Sequence, residues 1–200
     1  MGSPPLDAPV RSSNRRPPRG MSTSTLMTAA AIGIAGCVVV VPLSYLQVAA
    51  GLADVALVAA TLGAWMLPCL FPLVFVRRPG ATVVACLTIG VVSAVTTPFG
   101  PAAIGALLLE GILLEAPFLA TRYRRWDWWL FAVSAVVFGA FMGYFTTTAV
   151  GVQGASAGLV AATMAVAVAS CLAFLAVCLW LARALRRTGL GARVGGPGQA

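Results

Sequence analysis

Six long apolar stretches, separated by short polar or turn-forming segments, dominate the sequence from residue 25 onward. Each is close to the roughly 20 residues that a helix needs to cross a hydrocarbon core of about 30 Å. The pattern therefore predicts an all-α integral membrane protein with six transmembrane helices. We place these helices at residues 25–47, 55–76, 81–97, 102–121, 128–149 and 157–182, with turn signals at 50–51, 78–80, 98–101 and 151–154 between them.

The two ends of the chain have a different composition. Residues 1–22 are rich in Pro, Ser and Arg, and such a segment cannot bury enough apolar surface to fold. We predict a disordered cytoplasmic tail at 1–22, a six-helix transmembrane domain at 23–184 and a flexible cytoplasmic tail at 185–200. The arginines of the first tail are more typical of a solvated segment than of a nucleic-acid site, so we expect no nucleic-acid partner.

Composition supports this class and excludes others. The chain is 60% hydrophobic with a mean hydropathy of +0.96, far above soluble domains. All 13 of its basic residues are arginines, so it lacks the lysine of a nucleotide-binding P-loop, and it has no histidine. The five cysteines are scattered singly in apolar segments, which favours core packing over disulfides or a metal site. We expect no cofactor, no metal and no enzymatic activity.

The arginines also predict the orientation. They precede the first predicted span, follow the second, fourth and sixth, and are absent from the three alternate connections. The positive-inside rule then places both termini in the cytoplasm. We expect the protein in a plasma membrane of bacterial type.

With this orientation, the polar side chains of the spans gather in the outer half, which favours an outward-open pocket for a small molecule. Interhelical hydrogen bonds by Ser and Thr are the simpler alternative. Asp54, at the outer end of the second span, and Glu110, about 12 Å below the outer start of the fourth, are candidate ligand contacts because neither has an arginine in reach. A protonated Glu110 bonded to a neighbouring helix would also satisfy the sequence.

Glu115 lies five residues after Glu110, about 140° around an ideal helix, so the two carboxylates cannot share a narrow pocket unless Pro117 distorts the helix. A role in anchoring helices is as compatible with the sequence as ligand contact. Four aromatic residues could stack on a flat ligand ring, although each is also compatible with packing or interface anchoring. These are Tyr45, Trp65, Phe99 and Tyr144.

Four segments together resemble one family. Residues 77–81 (RRPGA), 97–100 (TPFG), 110–115 (EGILLE) and 122–126 (RYRRW) resemble the YkoE-type substrate-binding (S) subunits of energy-coupling factor (ECF) transporters in order and spacing. The resemblance covers residues 77–126 well and the rest of the chain by helix count. It implies an S-component-like bundle of six helices.

The same resemblance implies that thiamine, its hydroxymethylpyrimidine precursor or a similar small cationic metabolite is bound from outside. It also implies a transmembrane coupling subunit and two ATP-binding-cassette ATPases as partners. Small residues on the first helix would contact the coupling subunit, which gives Ala31 and Ala35 this role. Glu115 matches the acidic position of the family better than Glu110, and Phe99 stands where Trp is common.

Two other classes of function remain open at this point. A proton-coupled carrier or small multidrug exporter would use Glu110 or Glu115 as its coupling site, and would transport without partner subunits. A structural membrane protein without a ligand would use the acids only to hold helices together.

Overall fold

The computed structural model describes residues 23–149 and 156–188, and all regular secondary structure within them is α-helix, as the sequence predicts. The six helices are α1 Thr23–Ala53, α2 Val55–Val76, α3 Ala81–Thr96, α4 Ala102–Ala120, α5 Trp128–Ala149 and α6 Ala157–Arg187. Residues 1–22 and most of 185–200, for which we predict tails, lie outside the described residues.

The predicted turn at 50–51 is wrong. Helix α1 continues through Ala50 and Gly51 to Ala53 and has 31 residues. Asp54 alone separates it from α2, with an extended backbone and a side chain that accepts a hydrogen bond from the Ala56 N–H at 2.9 Å. One glycine in an alanine-rich segment is too weak to end a helix, whereas an Asp in the N-cap conformation begins the next one.

The helices also differ in length from the prediction. Helix α6 has 31 residues and ends five residues beyond the predicted span, at Arg187. Helix α3 has 16 residues, about 24 Å at 1.5 Å per residue, and is shorter than a hydrocarbon core of about 30 Å. The other five helices are long and apolar enough to cross a membrane.

Helix α2 is the centre of the bundle and packs against all five other helices. It is apolar on every side, as expected for a helix buried among others. Its closest crossing is with α6, where a Cβ on Gly63 would lie 2.3 Å from the Ser170 carbonyl oxygen. The Ser170 hydroxyl accepts from the Gly63 N–H and donates to the Ala60 carbonyl. A small residue and two interhelical hydrogen bonds therefore stabilise this contact.

The two ends of the bundle differ in charge. Arg186, near the end of α6, donates from Nη2 to the carbonyls of Val74 and Phe75 at the end of α2, which brings these two helix ends together. The other described arginines lie at the ends of α2, α4 and α6 or in the connections that follow α2 and α4. We call this the arginine end, and the positive-inside rule predicts that it faces the cytoplasm.

Candidate ligand-binding cavity

A cavity of about 620 Å³ lies at the end of the bundle opposite the arginine end, between helices α1 to α5. This volume is within the range of small-molecule sites. Its wall is mostly apolar, and Leu52 and Phe99 on its rim are exposed, so the cavity reaches the surface of the described part of the chain. Few polar side chains line it: Gln47, Trp65, Ser93, Glu110 and Thr146.

Glu110 is the acidic group of the cavity wall. Its side chain is 5% exposed, and the Trp65 indole Nε1–H donates to both carboxylate oxygens, at 2.8 and 3.1 Å. Among the described residues, Trp65 is its only hydrogen-bond partner, and no arginine is bonded to it. A single neutral donor leaves a carboxylate with most of its acceptor capacity unused. A ligand that donates hydrogen bonds or carries positive charge would use that capacity.

Two aromatic rings stand beside this carboxylate. Trp65 and Phe99 meet edge to face, with ring centroids 6.1 Å apart and an interplanar angle of 86°. Phe99 reaches the cavity from the turn between α3 and α4, where Gly100 has the positive φ of +56° that suits glycine. Both rings line the cavity, so a flat or cationic ligand would find aromatic surface next to Glu110.

Ser93 adds an unused polar group to the same wall. Its hydroxyl is buried and has no hydrogen-bond partner among the described residues. Buried hydroxyls are normally bonded, so an orphan at a cavity wall is a candidate ligand contact. The sequence places Ser93 at the outer end of its span but gives no reason to prefer it over nearby threonines. Those threonines donate to carbonyls of their own helix, as Thr96 does to Val92.

Four of the predicted site residues do not line the cavity, namely Tyr45, Asp54, Tyr144 and, as described below, Glu115. Tyr45 is 56% exposed and donates to the Thr96 carbonyl at 3.0 Å, so it ties α1 to α3. Asp54 is exposed and serves as the N-cap of α2. Tyr144 is 56% exposed on α5. The structure therefore brings together Trp65, Phe99 and Glu110 of the predicted set.

Glu115 lies at the other end of the bundle, beside the start of α3. Its carboxylate accepts from the backbone N–H groups of Gly80 at 3.0 Å and Thr82 at 2.9 Å, and from the Tyr123 hydroxyl at 2.8 Å. Helix α3 has no side-chain cap of its own, so Glu115 supplies an anionic cap from α4. Burial, and then this bond to Glu115, raise the pKa of Tyr123, which keeps the phenol protonated as the donor.

The family model described as "ABC-type cobalt transport system, permease component" matches residues 24–141, which is more than half of the chain and includes Trp65, Phe99, Glu110 and Glu115. The chain belongs to this family. It is therefore a multi-pass membrane protein of a transport family.

One solved structure supports the fold independently. A crystal structure of an S-component of an ECF transporter aligns with a TM-score of 0.77 at 19% identity, covering 86% of this chain and 89% of that one. The predicted S-component fold is thus confirmed, whereas the YkoE type within it stays a prediction. A search of curated proteins gave no match.

The family description names cobalt, and the residues present can be tested for that metal. Cobalt sites in proteins use several N, O or S ligands, with imidazole common among them. The chain has no histidine, and the described residues contain no group of three His, Cys, Asp or Glu side chains that could hold a metal ion. The donor set of residues 23–149 and 156–188 does not fit a bare cobalt ion.

The predicted partner surface on α1 has the required exposure. Ala31 and Ala35 are both exposed and lie on one side of α1 with Ile34 and Val38, which are 60% and 77% exposed. Residues on the opposite side of α1 pack inward, where a Cβ on Gly33 would lie 2.8 Å from the Ala85 carbonyl oxygen. The first helix therefore uses one small-residue face within the bundle and leaves the other uncovered by the described residues.

Proposed function

We propose that this chain is the substrate-binding (S) subunit of an ECF-type importer and captures thiamine, its hydroxymethylpyrimidine precursor or a similar small cationic metabolite from outside the cell. The observation that carries the proposal is the buried carboxylate of Glu110. This carboxylate lies in the wall of an open cavity, where Trp65 is its one neutral hydrogen-bond donor and none of the described arginines is bonded to it.

The chemistry of the ligand matches the carboxylate, the aromatic rings and the free hydroxyl of the cavity wall. Thiamine is a permanent cation with an aminopyrimidine edge that donates hydrogen bonds. Glu110 would accept from that edge or oppose the charge, Trp65 and Phe99 would provide aromatic surface, and the Ser93 hydroxyl would gain a partner. The apolar remainder of the wall would exclude water, which strengthens these contacts.

A bare cobalt ion is the substrate that the family description suggests, and the cavity supports it less well. One carboxylate, two hydroxyls and one amide at a wall of apolar and aromatic side chains do not replace the hydration shell of a divalent ion. An organic cation needs only one charge partner and apolar or aromatic surface around it, and the cavity has both.

The same proposal requires partners. Without lysine the chain has no P-loop of its own, so ATP hydrolysis must come from other subunits. We propose a transmembrane coupling subunit and two ATPases in the bacterial plasma membrane, with the exposed α1 face around Ala31 and Ala35 as the contact to the coupling subunit. A surface of small residues allows two helix backbones to approach closely.

The test is ligand binding by the purified chain in detergent, followed as a thermal shift and by native mass spectrometry. The ligands are thiamine, hydroxymethylpyrimidine and CoCl₂, each added alone. Glu110→Gln removes the charge and keeps the shape, and should weaken thiamine binding roughly 10-fold to 150-fold, as loss of a charge-assisted bond predicts. Asp54→Asn is the matched control, because it removes an outer carboxylate that lies outside the cavity and Asn still caps a helix.

Three results would contradict the proposal. Equal thiamine affinity in wild type and Glu110→Gln would show that Glu110 does not contact the ligand. Binding of cobalt alone would identify the metal as the substrate. Uptake of thiamine into vesicles by the purified chain alone, driven by a proton gradient, would instead identify a secondary carrier.

A further inference from the structure

A second, smaller cavity of about 80 Å³ lies at the arginine end, between the end of α2, the start of α5 and the end of α6. Arg77, Arg183 and Arg186 line it, together with Trp126 and Trp128. Its size suits one phosphate-sized group rather than a metabolite that would fill the cavity at the opposite end. The ligand proposed for that outer cavity does not involve any of these residues.

Arg77 occupies a backbone position that normally belongs to glycine. It follows the last residue of α2 with φ +51° and ψ +46°, and its N–H donates to the Leu73 carbonyl at 3.1 Å, as in a left-handed helix cap. Glycine is the usual residue there, and a side chain in this region is disfavoured by about 1–2 kcal/mol. An arginine that persists in a strained conformation suggests that its side chain is used.

The guanidinium of Arg77 supports that interpretation. Its Nε is buried and has no hydrogen-bond partner among the described residues. Arg186 donates from Nη2 to the carbonyls of Val74 and Phe75, which leaves its other N–H groups available. Arg183 is exposed. The cavity thus gathers three cations with spare donors.

No carboxylate of the described residues balances these charges. Each of the four that the structure describes bonds elsewhere: Asp54 to a backbone N–H, Glu110 to Trp65, Glu115 to the start of α3 and to Tyr123, and Asp127 to the Trp129 indole. Three arginines around one small cavity repel one another unless an anion joins them. The missing charge has to come from outside this part of the chain.

The surroundings indicate the source of the anion. Trp128 is 72% exposed, and tryptophans at the end of a membrane helix sit at the level of the lipid headgroups. Val74, Phe131 and Leu179 form an apolar side of the same cavity. Positive charge above an apolar wall, at the membrane surface, complements the phosphate and the acyl chains of an anionic phospholipid. Basic pockets between helices on the cytoplasmic side are known to hold anionic headgroups.

We infer that Arg77, Arg183 and Arg186 form a binding site for the phosphate group of an anionic phospholipid of the inner leaflet. The lipid would join the ends of α2 and α6, which Arg186 already links, and would neutralise charge that the described residues leave uncompensated.

The test compares lipid binding by native mass spectrometry of the full chain released from detergent micelles. The probes are palmitoyl-oleoyl phosphatidylglycerol, the corresponding phosphatidylcholine and inorganic phosphate. Arg183→Gln should weaken phosphatidylglycerol binding about fivefold, and Arg77→Gln combined with Arg183→Gln about 30-fold, since each arginine near the surface contributes about a factor of five. Binding of phosphatidylcholine should not change.

The matched control is Arg78→Gln combined with Arg187→Gln. It removes the same charge from the same helix ends, but both residues are exposed and lie outside the cavity. Arg183 makes no internal hydrogen bond in the described structure, so the single variant keeps the test valid if the double variant fails to fold. We expect the control to bind phosphatidylglycerol like wild type.

Three results would overturn the inference. An equal loss in the control would mean that net charge alone attracts the lipid. Displacement of phosphatidylglycerol by millimolar inorganic phosphate would assign the site to a soluble anion. Unchanged lipid binding in Arg183→Gln and in the double variant, with loss of a copurified coupling subunit, would assign it to an acidic side chain of that protein.

Discussion

Replacing Glu115 with Gln separates a structural carboxylate from a ligand-binding one. One carboxylate oxygen accepts from the Gly80 N–H and the Tyr123 hydroxyl, and the other accepts from the Thr82 N–H. The amide of Gln keeps one acceptor oxygen and turns an NH₂ group toward the remaining donors. At least one buried donor is then left unsatisfied, at about 1–3 kcal/mol, and the charge that strengthened the other bonds is lost.

These contributions together predict a destabilisation of about 3 kcal/mol. For a chain of this size, 1 kcal/mol corresponds to roughly 2–4 °C in Tm, so Glu115→Gln should melt about 6–12 °C below wild type. The five buried free cysteines provide the assay, because a thiol-reactive fluorogenic dye reports their exposure on unfolding in detergent.

Two variants serve as controls for this prediction. Glu110→Gln is the same substitution on the same helix, and its amide oxygen can still accept from Trp65, so its Tm should stay within about 2 °C of wild type. Tyr123→Phe removes one partly exposed donor and should lower Tm by about 2–4 °C.

The pH dependence of Tyr123 gives a further check. Its pKa is raised in the folded protein, so the unfolded chain loses this proton first as pH rises past about 10. Stability from this group is therefore present below pH 10 and declines above it, and the decline should be smaller in Tyr123→Phe. Wild-type Tm in Glu115→Gln together with weakened ligand binding would refute the structural assignment of Glu115.

Three further predictions concern other parts of the chain. Gly63→Ala should lower Tm by about 4–8 °C, since the added Cβ would meet the Ser170 backbone and such overpacking costs about 2 kcal/mol. Gly105→Ala is the control and should leave Tm unchanged, because nothing lies within 4 Å of its added Cβ. Equal Tm values for the two variants would refute the tight crossing of α2 and α6. Ser93→Ala should leave Tm unchanged without ligand and weaken thiamine binding roughly 2-fold to 13-fold, and unchanged affinity in the same titration would remove Ser93 from the site. Asp54→Ala should lower Tm by about 2–4 °C through loss of the α2 cap, while Asp54→Asn should not, and equal melting of the two in the dye assay would count against that cap.

The sequence by itself determined the class of the protein, the number of helices and most of their bounds. These features follow from hydrophobic length and from turn residues, which act locally, and the bounds of α2 and α5 were predicted to the residue. The distribution of arginines placed them at one end of the bundle, because charge and hydropathy alternate along the chain in step with the spans. The start of α2 was equally local, since Asp54 caps it from within the same segment.

The partners of the acidic residues were decided only by the tertiary structure. Glu110 and Glu115 lie in similar local sequence, yet one faces a cavity beside Trp65 and the other caps α3, which begins 34 residues earlier in the chain. A usable signal was present, because the segment before α3 offers no Ser, Thr, Asp or Asn cap, so the free N–H groups at its start require a hydrogen-bond acceptor from elsewhere. Which carboxylate supplies it depends on how α3 and α4 pack, and that packing is a property of the whole bundle rather than of any one segment.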